Sequence, residues 1–208
     1  MSKEKWKNFW KKFWFIVWKD DSFKGWIISL VFLLIVIRGV FFPLLSLATG
    51  TSLPLVIVES CSMYHDGNIL SNFDMWWENH EGKYFLQNIT KESFLAFPFK
   101  NGVNKGDILF VTGTKPEKVK VGDIIIFDAG RGNPIIHRVI KISQEGDEFI
   151  FSTEGDNNNG QLEVEKRIKE NQIVGEPKAN ILPYVGWIKL IFFEGMKSPQ
   201  EKGFCIEN

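Results

Sequence analysis

From Trp26 to Ala48 the chain carries one charge, Arg38, in a run otherwise built from Ile, Leu, Val, Phe and small residues. A helix over this run is about 35 Å long, enough to cross a hydrocarbon core of about 30 Å. Arg38 opposes insertion by about 2.5–3.5 kcal/mol if it lies at the bilayer centre, and a snorkelling stem reduces that. The run exceeds the roughly 7–15 apolar residues of a cleaved secretory signal. We therefore expect a transmembrane helix over 26–48. Residues 1–25 interleave Lys3, Lys5, Lys7, Lys11, Lys12, Lys19 and Lys24 with Trp6, Phe9, Trp10, Phe13 and Trp14. Coiled as a helix, they give a basic and an aromatic face, which suits a headgroup layer. Lysines before the span place the N-terminus in the cytoplasm and everything after about Gly50 outside.

Beyond residue 50 the pattern turns to short runs of Val, Ile and Phe bounded by Gly, Asp, Asn and Pro: LPLVIVES, GDILFVTG, VGDIIIFD, NPIIHRVIKI and DEFIFST. These predict a mainly β body, a partly closed barrel or packed sheets. Residues 64–100 read instead as a helical insertion, with Asn72 or Thr90 available as caps. The charged stretch 160–172 predicts a solvated loop or short surface helix. The run VGWIKLIFF predicts either a segment resting on the bilayer surface or a last core strand. Basic and acidic residues number 25 each, so no net charge points to a nucleic-acid partner. Two cysteines, Cys61 and Cys205, are too few for a disulfide framework or a zinc site.

Three side chains together could support nucleophilic catalysis. Ser62 follows the strand LPLVIV, His137 lies in IIHRVI, and Asp156 sits in the turn Gly155-Asp156-Asn157-Asn158 after DEFIFST. A serine hydroxyl needs an adjacent base, usually an imidazole oriented by a carboxylate. Of the three histidines, His65 is close to Ser62 in sequence and His80 lies in the insertion, so His137 is the one carried by a rigid element.

The order of Ser60-Cys61-Ser62-Met63, GDILFV, VGDIIIF, His137-Arg138-Val139, GDNN and LPYVG resembles the type I signal peptidases, in the archaeal and endoplasmic-reticulum branch. That branch pairs serine with histidine where bacterial relatives use lysine. The resemblance implies a membrane-bound serine endopeptidase that removes signal peptides, with a signal-peptidase-like β domain over 50–195, the insertion at 64–100 and a tail over 196–208. It also implies Ser62 as nucleophile, His137 as base, Asp156 as the supporting carboxylate, and Ser60 with the Ser62 N–H as the oxyanion hole. A second aspartate is expected six positions beyond Asp156, where Leu162 stands; Glu163 or Glu165 is the candidate replacement. No cofactor or metal is implied. The implied partners are preprotein signal peptides, the lipid bilayer, and a translocon or accessory subunits, at the cell membrane or that of the endoplasmic reticulum.

Other readings are a membrane-tethered scaffold without activity, a sortase-type transpeptidase using Cys61, and a relative of the self-cleaving repressor peptidases. A bridge from Cys61 to Cys205 is open to a chain facing an outer compartment.

Overall fold

The computed structural model describes residues 3–66, 73–130, 132–198 and 201–206. The chain divides into two compact units, Met1–Ala48 and Thr49–Asn208.

In the first unit, helix α1 (Lys3–Lys19) turns at Asp20–Ser22 into α2 (Phe23–Val36). Ser22 caps α2 by accepting from the Gly25 N–H at 3.1 Å. Gly25 lets the turn close, since a Cβ there would lie 2.5 Å from the Asp20 carbonyl oxygen. The hairpin is stitched by Ser29 Oγ donating to Val17 O at 2.7 Å and by the rings of Phe13 and Phe32, 5.3 Å apart. After α2 comes a π turn, Ile37–Phe41, and then α3 (Phe42–Thr49). Pro43 explains the widened turn, because it has no N–H for the Gly39 carbonyl and its ring crowds that carbonyl. The three segments form one helix, Phe23–Thr49, long and apolar enough to cross a membrane. It covers the span expected at 26–48.

The second unit is a seven-stranded antiparallel sheet in the order β1-β2-β7-β3-β4-β5-β6. The strands are β1 (Leu55–Ile57), β2 (Ile108–Thr112), β3 (Ile124–Phe127), β4 (Ile135–Glu145), β5 (Glu148–Glu154), β6 (Ile168–Lys169) and β7 (Ile173–Leu182). The first five lie in the runs expected from alternation. The other two were not expected. β7 joins the halves of the sheet, pairing with β3 near Gly175 and with β2 from Glu176 to Leu182.

Alternation on β3 and β4 sorts the core into two layers. Ile124, Ile126 and Ile136 pack with Val58, Met63, Leu109 and Val111, while Ile125, Phe127 and Val139 pack with Phe151 and Ile168. The insertion forms α4 (Phe73–Phe85) and α5 (Lys91–Leu95). Trp76, Trp77, His80 and Tyr84 share the buried face of α4 and pack with Phe94 and Ile89. Thr90 caps α5 through the Ser93 N–H at 3.3 Å; Asn72, the alternative cap, lies outside the described residues. After β7, the run predicted as bilayer-resting or strand is the short helix α6 (Trp187–Leu190) followed by turns. Leu190 is buried there, and Ile188, Ile191 and Phe192 are exposed.

Candidate active site

Ser62 lies in the turn after β1, half-buried, with Met63 beneath it in the core. Its carbonyl accepts from the Asn157 N–H at 2.8 Å, and the Asn157 side-chain amide donates to the Cys61 carbonyl at 3.1 Å. The Gly-Asp-Asn turn after β5 therefore holds the serine turn by its main chain. Gly155 is required for this approach, because a Cβ there would stand 2.7 Å from Ser62 O. Arg138 of β4 pairs with Glu154 at the end of β5, so the next residues are His137 on β4 and Gly155 in the turn that follows β5. Gly155 is thus the point where the serine turn and the histidine strand meet.

The Ser62 hydroxyl is 3.1 Å from that of Ser60. Among the described residues no hydrogen bond joins it to His137, and the Ser62 N–H has no partner.

His137 is buried, and its Nδ1–H donates to Glu165 Oε1. Glu165 is itself buried and carries two further bonds, from Thr153 Oγ1 at 3.2 Å and from the Leu162 N–H at 2.7 Å. A 3-10 turn over Glu163–Glu165 folds that carboxylate back onto Leu162, whose own side chain cannot accept a proton. Glu163, the other candidate, is exposed and pairs with Lys166. With Nδ1 engaged, Nε2 is the basic nitrogen, and among the described residues it has no hydrogen-bond partner.

Asp156 lies elsewhere. Its carboxylate accepts from Arg138 Nη2 at 2.6 Å and Nε at 2.9 Å, from Tyr84 Oη at 2.8 Å and from His65 Nε2 at 2.9 Å. Burial pushes the Asp156 carboxyl up, but the Arg138 guanidinium and the His65 bond outweigh it and hold it well below the usual carboxylate range. Burial pushes His65 down, and its ring stacks on Trp76 at 3.5 Å. Burial likewise pushes Lys83 down, while its ammonium donates to the carbonyls of Gly155, Asp156 and Asn158 at 3.0, 2.6 and 3.0 Å. Residues of the insertion thus fasten the turn that in turn fastens Ser62. His65 and Lys83 carry no motif signal in the sequence, whereas Arg138 belongs to the motif His137-Arg138-Val139 without any sign there of its partner. Among the described residues no cluster of His, Cys, Asp and Glu could hold a metal ion.

No family model matches the chain. Among curated proteins it is similar to the signal peptidase complex catalytic subunit SEC11C of Homo sapiens, 35% identical over 99 residues that cover 42% of this chain and 49% of that protein. The SEC11 subunit of Scheffersomyces stipitis is 35% identical over 99 residues, covering 44% of this chain and 58% of that protein. For the SEC11 subunit of Lodderomyces elongisporus the figures are 34% over 97 residues, 43% and 57%. The chain spans about half the length of the curated relatives it matches. These matches support the archaeal and endoplasmic-reticulum branch of type I signal peptidases, the branch that the chain's serine, histidine and Gly-Asp-Asn motifs resemble.

Proposed function

We propose that the chain is a membrane-anchored serine endopeptidase that cleaves signal peptides, with Ser62 as nucleophile and His137 as general base. The buried His137–Glu165 pair carries this reading, because it fixes one ring nitrogen and leaves the other available for a proton. In the first step the Ser62 Oγ–H proton passes to His137 Nε2 as Oγ bonds to the scissile carbonyl carbon. The Ser62 N–H and the Ser60 hydroxyl are the donors for the oxyanion, a contribution of about 3–4 kcal/mol per donor. The imidazolium then gives its proton to the departing amine, and a water activated by the same nitrogen releases the acyl group. Ser62 Oγ must first leave Ser60; catalytic hydrogen bonds often tighten only when substrate binds.

Glu165 takes the orienting role, and Asp156 acts through the Gly-Asp-Asn turn instead. The helix Phe23–Thr49 anchors the enzyme in the bilayer that holds its substrate's signal peptide, raising their effective concentration. The edge strand β1 offers main-chain groups for an extended substrate.

A fluorophosphonate probe and a preprotein substrate test the assignment together. The probe should label the peptide containing Ser62, and His137→Ala should abolish both labelling and cleavage. Labelling elsewhere, or undiminished cleavage by His137→Ala, would reject it. Glu165→Gln is expected to lower kcat by about 100-fold or more with little change in KM, because the imidazole loses both its tautomer control and its countercharge. An unchanged kcat in that variant would show that Glu165 does not orient the ring.

A further inference from the structure

Cys61 stands between Ser60 and Ser62, and it forms a disulfide with Cys205. The bridge ties the segment 201–206 directly to the turn that carries the nucleophile. Asn157 reinforces the tie, since its side-chain amide donates to both Cys61 O and Ile206 O at 3.1 Å. The segment has its own anchorage on the β unit. The nearly fully buried Lys105 ammonium donates to the carbonyls of Glu201 and Gly203 at 2.7 and 3.0 Å, and the Phe204 ring lies 4.9 Å from Trp187. One end of the bridge is therefore fixed independently of the other.

From this geometry, and resting on the protease reading above, we infer that the Cys61–Cys205 disulfide is a positioning device that makes cleavage depend on an oxidising compartment. The Ser60 and Ser62 hydroxyls and the Ser62 N–H all belong to the three-residue stretch whose middle side chain is the bridge. Reduction removes the covalent tie to segment 201–206 and, among the described residues, leaves the stretch held only by hydrogen bonds, from the Asn157 N–H and side-chain amide and from the Tyr64 N–H. A displacement of about 1 Å at reacting atoms costs on the order of 100-fold in rate. Forming the bridge removes two electrons and two protons from the thiols, which pass to a protein or small-molecule disulfide that becomes a dithiol. Such acceptors operate in secretory and extracytoplasmic spaces and not in the cytosol. A chain whose β unit has not reached that side thus keeps its serine misaligned.

The test uses the full chain in detergent, with the bridge confirmed by mass spectrometry, and measures kcat and KM on a preprotein before and after dithiothreitol. Ser62→Ala serves as the control. Reduction should lower kcat by about 10- to 100-fold with KM within twofold, with the acid limb of the pH profile unmoved and near-UV circular dichroism retained. Re-oxidation should restore the rate. Cys205→Ser should match the reduced enzyme and no longer respond to dithiothreitol. If that variant does not fold, Phe204→Ala answers the same question with the bridge kept, by a several-fold fall in kcat at constant KM. An unchanged kcat on complete reduction, or a loss that only tracks unfolded protein, overturns the inference while the protease reading stands. Oxidised enzyme that fails to cleave, or Ser62→Ala that cleaves equally, overturns both.

Discussion

Ser62→Ala is expected to lower kcat on a preprotein by about 10⁴-fold or more while leaving the β unit as stable as before. The activity term is large because no neighbouring group can replace the proposed nucleophile. Cys61 is engaged in its disulfide, and the Ser60 hydroxyl is the proposed oxyanion donor. The stability term is small because Ser62 Oγ has a single bond, to another hydroxyl in an exposed setting. Losing such a bond changes stability by about 1 kcal/mol or less. The main-chain contact that matters to the fold, Ser62 O with the Asn157 N–H, survives the substitution. Steady-state cleavage and a thermal unfolding midpoint, measured on the same preparation, check both halves. Residual cleavage above about 1% of the parent rate would mean that another group attacks the peptide, whatever general acid–base help His137 provides.

Asp156→Asn is expected to be the most damaging single change to stability, about 3–5 kcal/mol. The Arg138 guanidinium is fully buried and lies 4.7 Å from the centre of the Phe94 ring. It donates to the carbonyls of Pro98, Gly122 and Phe99, but Asp156 supplies its countercharge. Asparagine would leave that cation buried and uncompensated, and would also disturb the bonds from Tyr84 and His65. For a domain of this size the loss lowers the unfolding midpoint by roughly 10 °C. Arg138→Met combined with Asp156→Leu should be less harmful than Asp156→Asn alone, since it removes both charges. Equal damage from the single and double variants would show that the charge pair is not the source.

The same cluster sets the acid response. Burial holds His65 below the ordinary histidine value, so the unfolded chain binds a proton there that the folded chain resists. Stability therefore declines as pH falls through about 6.5. Asp156, with its folded value depressed, contributes fully above about pH 4 and loses that contribution progressively below it. Unfolding midpoints from pH 8 to 3 should fall in these two stages.

The amino-acid sequence by itself determined the apolar helix, five of the strands and the candidate Ser62 and His137. Each is a local pattern: an unbroken apolar run, alternation that gives a strand one buried face, or a short motif. β7 lacks such a pattern because Glu176-Pro177-Lys178 interrupts its alternation. Its place between β2 and β3 exists only once both neighbours are present to pair with it. Tertiary structure alone decided that Glu165, in a stretch read as solvated, is buried against His137, and that Asp156 belongs to Arg138, His65 and Tyr84. It also decided that Cys61 meets Cys205 across 144 positions of sequence. The reason is the same in each case. Periodicity records which face of an element leaves water, whereas the partner of a buried charge or thiol is chosen by how distant segments pack, and no local pattern in the chain encodes that.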